Sequence, residues 1–175
     1  MNQSTFQCSC CGETLTGPLA WHFEAPESWL RLSPKDRKTR GELSSDQCVI
    51  DNEHFFVRGL VEIPVVDSAE PFAWGVWVSL SKQNFDRARE LWNNQDRVNE
   101  PACFGWFCNS IPGYPETLHL KTAVHSRDVG VRPYIELEAT GHSLAQEQRN
   151  GITMERVRQL AEQMHHHNSP SKRFT

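Results

Sequence analysis

Two cysteines near the start of the chain, Cys8 and Cys11, have the spacing of a metal-binding turn and are followed by Gly12. Two thiolates three residues apart on a turn that contains glycine can bind one Zn²⁺ ion from the same side. A tetrahedral zinc site needs two more ligands, and a second Cys-x-x-Cys does not occur in the sequence. The motif therefore predicts half of a zinc site.

The other two ligands must come from elsewhere in the chain. Cys48 is the next cysteine and His54 follows shortly after it, so we expect Cys48 and His54 to complete the site. Without a metal, the cysteines would be small buried residues of an aromatic N-terminal lobe. A redox Cys-x-x-Cys is less favoured, because that motif normally opens a helix after a strand. Three alternative ligands stay open: His22, Cys103 and Cys108.

A second candidate site surrounds Arg58, in the middle of a predicted strand. Side-chain alternation places Arg58 on the same sheet face as Trp77 and Glu62. The guanidinium could stack on the indole and pair with the carboxylate, or it could bind an anionic ligand. We favour the structural role, because half-exposed sheet faces often carry such pairs.

His142 and Glu147 form a third candidate, since a histidine and a nearby carboxylate can act as acid and base. Hydrogen bonding at the start of a helix is the more common use of a histidine in this position. Arg58, Trp77, His142 and Glu147 are thus candidate ligand-binding residues, and no catalytic residue is assigned. A nucleophile elbow, HExxH and the Gly-rich nucleotide loops are all absent from the sequence. The motifs favour binding over catalysis.

The segment 55–81 dominates the patterning of the chain and predicts two long neighbouring strands. Each strand has an apolar row at alternate positions. Pairing the two rows on one face predicts that Val61 lies opposite Val76 and that Leu60 lies opposite Trp77.

A second hairpin is predicted over 117–138. Aligning its apolar rows places Lys121 opposite Glu138 and His125 opposite Tyr134, and both are favourable cross-strand pairs. Capping residues and apolar stripes predict helices at four places: 34–40, 82–92, 143–151 and after Thr153.

Hairpins followed by helices predict an α+β fold. We expect a single antiparallel sheet built from hairpins, with helices packed on one face and an irregular N-terminal lobe that contains the cysteines. Residues 168–175 are expected to be a flexible tail, with the run His165–His167 frayed into it. The predicted organisation is one domain over 1–167, divided into a lobe with a short helix (1–47), the sheet (48–141) and the C-terminal helices (142–167).

The composition of the chain limits the classes of partner that it could bind. The chain has 175 residues and a formal net charge of −4 at pH 7, so it offers no basic surface for nucleic acid or anionic membranes. No apolar run has the length of a membrane span, and the first residues do not resemble a secretory signal. We therefore expect a cytoplasmic protein whose six cysteines are thiols or metal ligands.

A set of segments spread over nearly the whole chain resembles a bacterial family known as domain of unknown function 2199. The resemblance implies a single bacterial cytoplasmic domain and adds no activity. Sequences of this kind often place a histidine shortly after Cys-x-x-Cys-Gly, whereas this chain has GETLTGP there, so His22 or His54 would have to substitute. The segments, in order, are FxCxxCG, SSDQCVID, EHFFVRGLVEIPV, FAWGVWVSLS, LHLKTAVHSR and GHSLAQEQRNGIT.

The leading hypothesis is a non-enzymatic binding or regulatory domain, stabilised by zinc, that presents the face of Arg58 and Trp77 to a protein or small ligand. The first alternative is an enzyme with a pocket formed by Arg58, His142 and Glu147. A second alternative is an immunity-type protein that binds a partner. The relative positions of these side chains distinguish the first two hypotheses.

Overall fold

The computed structural model describes residues 4–17, 20–66 and 68–168. Its strands, in chain order, are β1 Ser4–Gln7, β2 Thr14–Gly17, β3 Ala20–His22, β4 Gly41–Leu43, β5 Gln47–Ile50, β6 His54–Ile63, β7 Phe72–Leu80, β8 Cys103–Phe107, β9 Lys121–His125 and β10 Tyr134–Leu137. Its helices are α1 Glu27–Leu30, α2 Pro34–Arg40, α3 Lys82–Glu90, α4 Ser143–Asn150 and α5 Met154–Asn168, and a 3₁₀ helix spans Gln95–Asn99.

Strands β6 to β10 close into a five-stranded barrel. Each strand is antiparallel to the next, and β10 returns to lie parallel to β6. An odd number of up-and-down strands can close only through one parallel pair. The prediction of a single antiparallel sheet with helices on one face is therefore wrong: the sheet is mixed and curls onto itself.

Closure depends on a glycine in β6. A Cβ at Gly59 would lie 2.5 Å from Cδ1 of Ile135 and 2.9 Å from the backbone carbonyl oxygen of Pro133, so a side chain there would push away the backbone that leads into β10. Tyr134 of β10 then pairs with Leu60 of β6. Local alternation predicts each strand but not this contact between the first and last strands of the barrel.

Three further strands extend the barrel sheet. β5 pairs with the first half of β6 and carries β4 on its far side, while β3 runs parallel to β7. β1 and β2 form a separate antiparallel hairpin. The N-terminal lobe, which we predicted to be irregular, thus contains four strands, β1 to β4.

The register of the central hairpin differs from the prediction by two residues. Val61 lies opposite Trp74, and Arg58 lies opposite Trp77. The faces are still correct, because a shift of two residues keeps every side chain on its side of the sheet. The register predicted for the second hairpin is confirmed, with Tyr134 opposite His125.

The two faces of β6 and β7 are covered by different cores. The barrel interior, closed by α3, α4 and α5, buries one row completely: Val61, Ile63, Phe72, Trp74, Val76 and Val78. The opposite face packs against the segment around α1 in a second, smaller core: Ala25, Trp29, Cys48, Ile50, Phe56 and Trp77. Helices therefore do not cover one face alone.

Helix starts follow the predicted capping pattern with one exception. Ser33 and Ser81 cap α2 and α3, and Thr153 accepts a hydrogen bond from the backbone of Arg156 at the start of α5. At α4 the spacing of Ser143 and Gln146 is that of a capping box and predicts Ser143 as the cap, but the cap is His142. Within the residues described, every helix is too short or too polar to cross a membrane.

The end of the chain differs from the prediction. α5 continues through the run of histidines to Asn168, so these residues are helical rather than frayed. The rest of the predicted tail, 169–175, lies outside the described residues.

Candidate metal centre

The turn between β1 and β2 carries three cysteines. The backbone N–H of Cys8 donates to the carbonyl of Glu13 at 2.8 Å, and the N–H of Gly12 donates back to the carbonyl of Cys8 at 2.9 Å. Gly12 has φ 72°, a left-handed conformation that glycine adopts without steric cost. The turn thereby brings Cys8, Cys10 and Cys11 to one side of the hairpin end.

Backbone amides of the turn stabilise a thiolate at Cys8. The N–H groups of Cys10 and Cys11 donate to its sulfur and, together with His166, lower the pKa of Cys8 to about 6. The pKa of Cys10 is raised, chiefly because its thiol hydrogen-bonds to the Cys8 sulfur at 3.5 Å. The turn therefore favours at least one thiolate, which is the form that binds metals.

The fourth donor comes from the far end of the chain. Nε2 of His166, on α5, lies 3.2 Å from Sγ of Cys8 and 2.7 Å from Sγ of Cys10. The donor atoms of Cys8, Cys10, Cys11 and His166 all lie within 4.8 Å of one another. This group of four, the Cys₃His cluster, could hold a metal ion.

The cluster has nearly the size of a tetrahedral zinc site. Zn–S and Zn–N bonds of about 2.3 and 2.0 Å place sulfurs about 3.7 Å apart and sulfur and nitrogen about 3.5 Å apart. The Cys8–Cys10 separation of 3.5 Å agrees with this geometry. The imidazole of His166 would have to withdraw by less than about 1 Å from Cys10 to accept an ion. Cys10 is exposed and, with His166, borders an open cleft through which an ion could enter.

Helix α5 also holds the turn through side chains that do not belong to the cluster. Glu162 accepts hydrogen bonds from the backbone N–H and the hydroxyl of Ser9, at 2.6 and 2.9 Å. His165 contacts the carboxylate of Glu13 at 2.7 Å. Glu162, His165 and His166 have i, i+3, i+4 spacing and so share one face of the helix. Such supporting contacts orient metal ligands in known sites.

Of the predicted metal ligands, the structure brings Cys8 and Cys11 together and places Cys48 and His54 elsewhere. Cys48 is buried in the second core, where desolvation raises its pKa to about 12. His54 is exposed at the start of β6. In the Cys₃His cluster, Cys10 and His166 occupy the two ligand positions that were predicted for Cys48 and His54.

Two signals could have identified these ligands. The first is the position of Cys10 inside the Cys-x-x-Cys turn, directly before Cys11. The sequence Glu162-x-x-His165-His166 has the spacing of a helix face that points three polar side chains at one target.

Arg58 and Trp77 lie together in the second core. Arg58 is 8% exposed, its Cζ lies 5.9 Å from the Trp77 ring, and its Nη1 donates to the carbonyl of Ser45 at 3.2 Å. Burial lowers the pKa of Arg58, which the carboxylates of Asp46 and Glu24 partly oppose. The expected partner Glu62 instead binds Arg127 through both carboxylate oxygens.

His142 and Glu147 each make contacts that support α4. Nδ1 of His142 accepts a hydrogen bond from the backbone of Leu144 at 3.2 Å. Glu147 accepts hydrogen bonds from the hydroxyl of Tyr114 at 2.5 Å and from Nε of Arg156 at 2.8 Å, joining α4 to α5 and to the loop before β9. Burial and this carboxylate raise the pKa of Tyr114. The two candidates thus have separate packing roles.

Comparison with known proteins identifies the family of the chain and nothing more specific. Neither a curated protein nor a solved structure matches it. The family model described as "Uncharacterized protein conserved in bacteria (DUF2199)" matches residues 7–152, which include the three cysteines of the cluster and all of the barrel but end before α5. The chain therefore belongs to this bacterial family, domain of unknown function 2199.

Proposed function

We propose that the protein binds one Zn²⁺ ion in the Cys₃His cluster and that this ion fastens the N-terminal hairpin to the C-terminal helix. The observation that carries the proposal is the convergence of four donors from the two ends of the chain within 4.8 Å. Three thiolates and an imidazole are a recurrent ligand set of structural zinc.

The donor set favours zinc over other divalent metals. Soft thiolate ligands select Zn²⁺, Cu⁺ or iron–sulfur centres, whereas Mg²⁺ and Ca²⁺ prefer oxygen. Four protein ligands occupy every position of a tetrahedral ion and leave none for water or substrate. We therefore assign the ion a structural role.

The low stability expected of the isolated β1–β2 hairpin is a reason for a structural ion at this site. Two strands without a third are marginally stable in water, and β1 and β2 pair only with each other among the described strands. The ligands Cys8 and His166 are 158 residues apart, so the ion closes a loop that contains the whole barrel. Metal binding at such a site adds directly to the free energy of folding.

This zinc-stabilised protein is best described as a cytoplasmic binding or regulatory domain. The alternative enzyme site needs Arg58, His142 and Glu147 to act together, but each is engaged in a different packing contact. A reducing compartment would keep the three thiols of the cluster available for metal. The partner we propose is a protein or a small ligand.

The test is metal content and its dependence on His166. Protein purified without chelators should contain one zinc per chain, and replacement by Co²⁺ should give the absorption bands of tetrahedral thiolate coordination. His166→Ala should bind zinc at least about tenfold more weakly, because the fourth ligand is lost. His167→Ala, which removes the neighbouring exposed imidazole, is the matched control and should behave as wild type. Zinc-free wild-type protein, or equal zinc binding by the two variants, would contradict the proposal.

A further inference from the structure

A cavity of about 360 Å³ lies where α3 and the 3₁₀ helix Gln95–Asn99 cover one end of the barrel. It shares no residue with the Cys₃His cluster. Its volume is at the lower end of the roughly 300–1,000 Å³ that small-molecule sites occupy. Much of its wall is apolar, from side chains of the barrel, α3 and adjoining loops: Val57, Leu80, Leu91, Phe104, Val124 and Pro133.

One buried cation lies in this apolar wall. Arg97 is only 5% exposed, and its Cζ stacks 5.0 Å from the ring of Trp92. Nη1 donates one hydrogen bond, to the carbonyl of Trp92 at 2.9 Å. A guanidinium has five N–H donors, so most of the capacity of Arg97 is unused by the residues described.

The other charged residues of the cavity wall, Arg87 and Glu100, are paired with each other, and Arg87 also pairs with Glu90, outside the wall, at 3.0 Å. Arg87 donates to both oxygens of Glu100, at 2.7 and 3.0 Å, and this contact lowers the pKa of Glu100. Glu100 is therefore committed to Arg87, and no carboxylate within the described part of the chain forms an ion pair with Arg97. Burial alone accounts for the lowered pKa of Arg97.

The contrast with Arg58 shows that this arrangement is unusual within the molecule. Both arginines are buried and stacked on a tryptophan. The charge of Arg58 lies near the carboxylates of Asp46 and Glu24 as well as near Arg132, whereas Arg97 forms no ion pair with any described residue and lines the cavity. A cation that is largely removed from water is stabilised by an anion, and an anionic ligand in the cavity would supply one.

We infer that the cavity binds a small carboxylate with an apolar body, with the carboxylate on Arg97 and the body against the barrel side chains Val57 and Val124. The planar guanidinium can donate two parallel hydrogen bonds to a carboxylate, which fixes the orientation of the ligand. A single cation matches a single negative charge, and the apolar walls match a hydrocarbon chain or ring.

Three probes with the same apolar chain test the role of charge: octanoate, 1-octanol and octylamine, titrated by calorimetry into the full-length protein. Octanoate should bind at least about tenfold more tightly than octanol, since a charge-assisted hydrogen bond in a desolvated site gives a factor of this size. Octylamine should bind no more tightly than octanol. Equal affinity for octanoate and octanol, or no binding of either, would overturn the inference.

Variants of the cavity residues distinguish the contribution of the Arg97 charge from that of the cavity volume. Arg97→Met should lose the preference for octanoate and leave octanol binding unchanged. Arg89→Met removes an arginine that stacks on Phe85 and does not line the cavity, so it should bind octanoate as wild type does.

A third variant tests the cavity without changing charge and remains informative if Arg97→Met folds poorly. Ala88→Leu adds bulk to the wall on the α3 side and should weaken both octanoate and octanol. Undiminished binding of octanoate to Ala88→Leu, or a retained octanoate preference in Arg97→Met, would show that the probe binds elsewhere.

Discussion

The barrel and the N-terminal hairpin are held in place by different kinds of interaction. The barrel strands bury an apolar row that is almost completely removed from water, and the helices close over it. The hairpin of β1 and β2 instead meets α5 through the Cys₃His cluster and the hydrogen bonds of Glu162 and His165. One region is stabilised by hydrophobic burial, and the other depends on polar contacts and, in our proposal, on a metal ion.

This difference implies that the two regions should respond to different perturbations. Damage to the apolar row should unfold the whole protein, because the barrel is one cooperative core. Loss of metal should release the hairpin and leave the barrel folded, because local regions with few apolar contacts open independently.

The largest effect is expected from Val76→Asp. Val76 is completely buried in the barrel interior, so an aspartate there would be an unpaired buried charge. We expect the free energy of unfolding to fall by about 4 kcal/mol or more, a large share of the roughly 5–15 kcal/mol that keeps an ordinary domain folded. Circular dichroism and thermal melting measure this loss. Val66→Asp, at a position that is 52% exposed, is the control and should remain folded. A Val76→Asp variant that melts at the same temperature as wild type would show that the assignment of this face to the core is wrong.

Removal of metal is expected to have the next largest effect, confined to one region. After chelation, amide hydrogen exchange in residues 4–17 should accelerate by at least about tenfold, because the two-stranded hairpin is marginal alone. Exchange in β6 and β7 should stay unchanged. A uniform acceleration across the chain would mean that the ion supports the barrel as well, and unchanged exchange everywhere would mean that the hairpin does not need it.

A smaller effect is expected when a contact beside the cluster is removed. Glu162→Gln keeps the size of the side chain but weakens its hydrogen bonds to Ser9, so zinc affinity should fall by about tenfold to a hundredfold. Competition with a chromophoric chelator measures the affinity. Glu155→Gln on the same helix, where the carboxylate lies 3.7 Å from Arg158, should leave it unchanged. Equal affinities of the two variants would remove Glu162 from the metal centre.

The smallest effect concerns the second core. Arg58→Lys should lower the free energy of unfolding by about 1–2 kcal/mol, because lysine keeps the charge but loses the planar stack on Trp77. Arg31→Lys, at an exposed side chain, is the control. If Arg58→Lys melts like wild type but no longer binds an anionic ligand, Arg58 serves binding rather than structure.

The same comparison explains how much of the fold could be predicted. Alternating apolar residues and capping serines predict β6, β7, α2 and α3 because these signals are local. Barrel closure depends on how closely β10 can approach Gly59, a contact between segments far apart in sequence. The two-residue error in register arose because side-chain alternation cannot distinguish registers that differ by two.

The metal centre was only half predictable for a related reason. The spacing of Cys8 and Cys11 is a local signal and indicates a metal on its own. His166 is 158 residues away from Cys8, and only the folded barrel brings α5 to the turn. A run of three histidines near a polar terminus also has the composition of a solvated tail, which masks its helical spacing with Glu162.

The position of the four ligands along the chain determines when the cluster can be completed during synthesis. A ribosome adds roughly 5–20 residues per second, so the 158 residues between Cys8 and His166 take roughly 8–30 s to synthesise. Every barrel strand, and the core residues Val157, Leu160 and Met164 of α5, leave the ribosome before His166, so the core can form while the three thiols still lack their histidine. In our proposal the metal site is therefore completed last, and a chain cut short between Met164 and His166 would keep the buried residues of α5 but lose the fourth ligand.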